Sequence, residues 1–404
     1  MMSESDYPRI RTLNAIPVSQ GNRKLVLLED PFGVADQPIL IPPQVTPLLI
    51  ICDGTRNLYE IQSALISMYG LDIEVTEIQR WLDIFNNAAL LDNEVFQKKK
   101  TQALEVYRSA KARPMALADE IYSRRKKPLS QKLNTYLEHA QGTIRDNPVA
   151  AMICPHIDYD RGWRVYAEVM EASRQALIDA ELLIVLGTDH FDDGNALTFT
   201  QQNYQTPFGV MPTASLLVER LTQQLGGLDT FRGELRHQHE HSIELALVWL
   251  QHMRAGSPCL VLPILCGAHE LFLAEGTHEE LAWVSVLVDS LSEIMQSQKT
   301  VVVAAADLAH VGAVFGGQKL SADQRAAFAL SDERLLQRII EVDPQGFIEE
   351  IIRVENRNNV CGITSIFLLL RLLAHATGQV VSYELCPADR TNTSWVSICG
   401  VVFS

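Results

Sequence analysis

Six of the eleven histidines of this 404-residue chain fall in four short segments. These are Pro155-His156-Ile157-Asp158-Tyr159, Thr188-Asp189-His190, His237-Gln238-His239-Glu240-His241 and Asp307-Leu308-Ala309-His310. Neutral imidazole is a good ligand for transition metals and exchanges protons near neutral pH, so the grouping points to a metal pocket or to acid–base chemistry. A single histidine after a strand is more often a hydrogen-bonded structural residue, so the weight rests on the joint arrangement. The seven cysteines (52, 154, 259, 266, 361, 386 and 399) form an odd set without C-x-x-C spacing. That argues against a disulfide framework or a zinc ribbon and leaves most of them as small buried hydrophobes. Cys154, two residues before His156, continues an apolar run and is expected in the core, its alternative being a soft metal ligand.

Three of the four segments follow apolar, β-rich runs: VAAMIC, LLIVLG and TVVVAAA. In open α/β folds, polar residues just past the carboxyl end of a buried strand line the ligand crevice. Further strands are expected at ALTFT, CLVLPIL, VVSYEL and WVSICGVVF. Helices are expected near 163–178, 214–225, 241–252, 279–295, 321–342, 343–354 and 362–376. Uninterrupted apolar strands between helices imply a three-layer α/β domain over 147–404, its sheet covered on both faces. His237–His241 precedes a helix instead of following a strand, with Ser242 and Glu244 near the first turn.

Ahead of this domain, KLVLLED and PILIP read as two short strands. Thr55 is the expected N-cap of a helix from Asn57 to Met68; a second helix follows over 75–90, and Val95 with Phe96 suggests a closing strand. Together they describe a small winged-helix-like α+β module over 1–97. Residues 98–146 read as a polar helical connector interrupted at Pro114 and Pro128, with basic clusters KKK, RSAKAR and RRKK on a solvated face.

Composition narrows the function classes. Apolar residues are 47% and charged residues 21%, ordinary for a globular chain, while the net charge of −15 repels phosphate backbones and disfavours nucleic acid as a partner. No apolar run approaches the roughly 20 residues that a membrane-spanning helix needs. The start, MMSESDYPRIRTLN, lacks the pattern of a secretory signal, so a cytoplasmic location is expected.

The strings CPHIDYDRGWRVYAEV, VLGTDHF, HEHSIELALVWLQ, ADLAHVG and VCGITSI, in that order, resemble the MEMO family, whose bacterial and archaeal members are often called AmmeMemoRadiSam system protein B. The resemblance implies a fold similar to class III extradiol dioxygenases, with His156, His190 and Cys361 as metal ligands and His241, Asp307 and His310 around them. It implies Fe(II) as the metal, with copper or zinc as rivals, a small-molecule or peptide substrate, and a radical-SAM partner protein. Asp307 would fix a histidine tautomer, and His310 or His241 would act as acid or base. A non-catalytic peptide- or partner-binding protein using the same pocket is the alternative. Where some members of the family carry Pro-Ser-His-His, this chain has Thr188-Asp189-His190-Phe191, so a second histidine is missing and Asp189 adds a carboxylate. The phrase DGTRNLYEIQSAL resembles the PqqD-like modules, which bind peptides, over residues 22–97.

Overall fold

The computed structural model describes residues 7–404 except 22, 31, 36, 141–148, 192–193, 274–280 and 374–375, so the expected domain start at Asn147 lies outside the described residues. The chain divides into two compact units, Met1–Ala110 and Lys111–Ser404.

In the first unit β1 (Asn14–Gln20), β2 (Arg23–Glu29) and β3 (Ile39–Ile41) form an antiparallel sheet in that order. Four helices follow: α1 (Leu48–Ile51), α2 (Leu58–Tyr69), α3 (Val75–Asn87) and α4 (Glu94–Ser109). Leu28, Ile41, Ile61, Leu65, Ile78 and Phe85 are buried together. Three details differ from the sequence reading. β1 was unforeseen because its side chains are mostly exposed and Pro17 interrupts the alternation. Asn57, not Thr55, caps α2, in a capping box with Glu60, while Thr55 bonds Asp53 instead. Val95 and Phe96 open a helix rather than a strand: the Asn93 side chain accepts both of their N–H groups, and helix-forming EVFQKKKTQALEV continues from there.

The second unit begins with α5 (Lys126–Glu138), which contains Pro128 in its first turn, where a missing N–H does no harm. Then come β4 (Ala151–Cys154), α6 (Tyr159–Ala172), α7 (Arg174–Asp179), β5 (Leu182–Thr188), β6 (Leu197–Phe199), and the hairpin β7 (Tyr204–Thr206) and β8 (Gly209–Met211). After α8 (Ser215–Gln224), α9 (Ser242–Met253), β9 (Leu260–Cys266), α10 (Glu270–Leu273) and α11 (Ala282–Ser297), the chain forms β10 (Thr300–Ala305) and β11 (His310–Gly312). It ends with α12 (Ala322–Ile340), α13 (Pro344–Arg353), α14 (Ile363–Leu372), β12 (Gly378–Pro387) and β13 (Ser394–Phe403). The helix expected from Trp163 starts earlier, because Asp158 caps it at the Arg161 N–H, and it breaks at Ser173.

Eight strands form one mixed sheet, ordered β11-β13-β4-β10-β5-β9-β6 with β12 also paired to β13. The central four, β4, β10, β5 and β9, are parallel. Alternate residues of these strands enter two cores. Ile153, Ile184, Leu186 and Val302 pack with α11 and α14 residues such as Leu287 and Ile366, whereas Met152, Leu183, Val185 and Val303 pack with α6 and α9 residues such as Val165 and Leu247. The register levels Cys154, Ala305 and Gly187 across three neighbouring strands. Whatever follows them therefore shares one rim. Among the described residues no helix is long and apolar enough to cross a membrane.

Candidate metal centre

His156 sits two residues past the end of β4. Its main-chain N–H donates to Asp307 Oδ1 at 2.8 Å and its Nδ1 donates to the Ala305 carbonyl at 2.9 Å. A carbonyl can only accept, so the proton is on Nδ1 and the lone pair is on Nε2. That nitrogen lies 3.5 Å from Cys361 Sγ.

His190, past β5, and His241, at the cap of α9, share a single carboxylate. Glu240, 1% exposed, accepts from His190 Nδ1 at 3.1 Å and from the His190 main-chain N–H at 3.0 Å. It stands 3.2 Å from His241 Nδ1 and also accepts the His241 and Ser242 N–H groups at 2.7 and 3.1 Å. Both imidazoles are thereby held at Nδ1, with Nε2 turned away from Glu240. Fully buried Arg113 holds Glu240 from behind, donating to its carbonyl at 2.8 Å and to the His237 carbonyl at 2.6 Å while pairing with Glu244.

One ligand atom from each of His156, His190 and His241 falls within 4.8 Å of the others. The His156 ring stands nearly perpendicular to both partners, at 88° and 87°, whereas His190 and His241 stack at 18° with centroids 4.5 Å apart. These three imidazoles are placed so that one ion could take a nitrogen from each. An ion that takes His156, His190 and Cys361 would have the His241 imidazole beside it.

Cys361 precedes α14, and its N–H donates to the Leu308 carbonyl at 3.3 Å. Gly362 lets the helix start lie against β10: a Cβ there would come 2.5 Å from Ala306 Cβ and 2.9 Å from the Asp307 carbonyl. Burial pushes the thiol up, but His156 and His190 outweigh burial and bring it down to about 7. Cys154 and Cys266 are instead raised far above the ordinary thiol range by burial, as core cysteines are. Burial alone would lower His190; the attraction of Glu240 and a hydrogen bond with Cys361 lift it well above the usual imidazole range. Glu240 is held well below the usual carboxylate range by His190 and His241 in spite of its burial.

The donor set fits a tetrahedral or related ion. Donors at the usual metal–sulfur and metal–nitrogen distances, set at a tetrahedral angle, lie roughly 3.6 Å apart. The Sγ–Nε2 distance of 3.5 Å matches that separation.

The other expected site residues divide. Asp307, 2% exposed, places Oδ2 3.7 Å from His156 Nε2 and anchors the His156 main chain. The non-facing nitrogens are taken by Ala305 and Glu240, so the tautomer-fixing geometry expected of Asp307 belongs to them. His310 stands outside the three-imidazole cluster, its Nδ1 3.3 Å from the Asn359 carbonyl and its ring edge-on to Phe315 at 5.1 Å. Burial lowers it against the attraction of Asp307. Asp189 turns into the core, where it pairs with Arg236 at 2.9 Å. His237 is also structural, with Nδ1 2.6 Å from Tyr204 Oη and Nε2 3.0 Å from the Thr198 carbonyl. Glu240 was missed as a functional residue; its place between two histidines of H-E-H was the available signal.

The family profile described as Memo-like protein matches residues 113–402. A MEMO1 family protein of Aquifex aeolicus is 23% identical over 403 residues, spanning 98% of this chain and 99% of its own length. MEMO1 family proteins of Methanosarcina barkeri and Thermus thermophilus are 26% and 24% identical, covering 67% and 82% of this chain and 92% and 94% of their own lengths.

Proposed function

The chain belongs to the MEMO family, and on that premise we propose that its second unit is a metal-dependent protein that binds Fe(II) through His156, His190 and Cys361. The observation that carries this reading is the 3.5 Å approach of Cys361 Sγ to His156 Nε2, beside two further imidazoles on one rim. Asp307 adds an oxygen near the same nitrogen, a donor that Fe(II) accepts beside imidazole. When bound, the ion would supply redox and Lewis-acid chemistry to a small-molecule or peptide substrate. The protein's own part is to hold His156 and His190 through Nδ1 so that Nε2 faces the ion, bring the Cys361 thiol down toward its anionic form, and set His241 beside the centre with its Nδ1 near Glu240. That arrangement suits His241 for proton exchange with a substrate. A dioxygenase-like ancestry and a radical-SAM partner belong to the same reading. Anaerobic purification followed by elemental analysis tests it: stoichiometric iron lost in both His156→Ala and Cys361→Ser is expected. Metal content that is negligible in the parent, or unchanged from the parent in both variants, would falsify it.

A second reading has its own observation. The first unit carries a cavity of about 550 Å³ lined by Leu58, Leu82, Asn86, Leu91 and Val95, which suits a PqqD-like peptide-binding module. Retention of candidate peptides by the parent, lost on Val95→Arg with the fold intact, is the result expected; unchanged retention removes the role.

A further inference from the structure

A second cavity, of about 380 Å³, opens in the unit that carries the histidines, between the Val311–Phe315 segment, α12 and the Val354–Asn359 turn. The chain has 49 acidic residues against 34 basic ones, yet among the described residues none lining this cavity is acidic, and two are arginines, Arg334 and Arg357. Each guanidinium has a carboxylate neighbour outside the lining: Arg334 Nε lies 3.4 Å from Glu350, and Arg357 Nη2 lies 2.9 Å from Glu355. Exposed pairs of this kind contribute little, and a guanidinium has five N–H donors, so both retain edges for another anion. Ser331 lines the same space at 7% exposure, and its hydroxyl accepts from Asn358 Nδ2 at 3.1 Å, which leaves its own proton to donate. The remaining walls combine apolar side chains, Phe315, Phe328 and Leu320 foremost, with the neutral amides of Gln318, Gln324, Asn358 and Asn359.

This cavity adjoins the segment of His310 and the turn that leads to Cys361. Phe315 meets the His310 ring edge-on. The His310 N–H donates to the Asn358 carbonyl at 2.8 Å, and Asn359, whose side chain donates to the His310 carbonyl at 3.1 Å, stands two residues before Cys361. An occupant would touch both segments that support His310.

The geometry points to this cavity as the seat of an amphipathic organic anion, its apolar body against Phe315 and Phe328 and its carboxylate or phosphate head on Arg334, Arg357 and the Ser331 hydroxyl. The anion is then the substrate class of the metal pocket, a part of the inference that rests on the function proposed above. Guanidinium recognises either head through charge-assisted N–H donors, and the aromatic walls select against a bare inorganic ion.

Calorimetric titration of metal-free protein with phenyl phosphate, benzoate and inorganic phosphate tests the site apart from the metal. Saturable binding of phenyl phosphate or benzoate is expected, the tighter of the two identifying the head group. It should weaken by about ten-fold or more in Arg334→Gln/Arg357→Gln, whose fold is checked by circular dichroism, and persist in Cys361→Ser. Absence of saturation, equal affinity for inorganic phosphate, or indifference to the double substitution overturns the site. In metal-loaded protein the bound probe should shift the thiolate-to-metal absorption band. A band that stays put while the probe binds overturns the substrate assignment and leaves the metal reading standing.

Discussion

Glu240 accepts from His190 Nδ1 at 3.1 Å with one oxygen and holds the His190 main-chain N–H with the other, so side chain and backbone of one candidate ligand hang on one buried carboxylate. The same carboxylate lies 3.2 Å from His241 Nδ1. A single substitution therefore reaches two imidazoles that come from different elements.

Glu240→Gln keeps the shape and removes the charge. Metal affinity should fall by about 10–100-fold, the usual cost of losing a carboxylate behind a ligating histidine. Competition against a chromophoric chelator measures it, and an unchanged affinity would show that Glu240 only packs.

In metal-free protein, iodoacetamide should alkylate Cys361 with a midpoint near pH 7, since the thiolate is the nucleophile and the neighbouring imidazoles bring this thiol down to about 7. Cys154 and Cys266, pushed far up by burial, should stay unmodified until the protein unfolds. Added Co²⁺ should protect Cys361, because ligation and alkylation compete for the same sulfur. Peptide mass mapping across a pH series reads all three outcomes.

Gly362→Ala would place a methyl group 2.5 Å from Ala306 Cβ. Overpacking of this kind costs about 1–3 kcal/mol, and the relief available here moves Cys361 away from His156. Urea unfolding should show the loss, and metal affinity should fall with it; a stable variant with full affinity contradicts the close-approach account.

Asp332 is fully buried on α12, its Oδ2 accepting from Tyr383 Oη at 2.8 Å. Burial raises its carboxyl to about 6, against the pull of Ser397 and Tyr383. A raised carboxyl favours the folded state while protonated, and that advantage is lost as pH climbs from the unfolded value near 4 through 6. Asp332→Asn should accordingly be more stable than the parent at pH 8, by on the order of 3 kcal/mol, with the difference gone below about pH 4. Equal stabilities at pH 8 would remove the buried charge from consideration.

Much of this was legible beforehand because it depends on local pattern. The apolar runs that became β4, β5 and β10 announce strands buried on both faces, and parallel pairing then puts their carboxyl ends, with His156, His190 and Asp307, on one side. Less was legible where the outcome depends on partners distant in sequence. Asp189 and Asp307 follow strands in the same way, yet Arg236 draws the first into the core while the second stays at the rim. β11 is three residues long and exists because β13 offers it an edge, which no local signal announces. Val95 and Phe96 have strand-like side chains, and the Asn93 cap decided them as helix.

The place of β13 in the sheet has a consequence for how the molecule is made. Residues 394–403 lie between β11 and β4, next to the strand that delivers His156, although some 240 residues separate the two strands in sequence. A chain emerging from the ribosome can complete the β4–β10–β5–β9 arrangement early, but the Ala309 and Leu308 backbone finds its partner, Ser397, only after that last strand is out. The rim that holds Asp307 and His310 is thus completed only once β13 is available, later than the four parallel strands beside it.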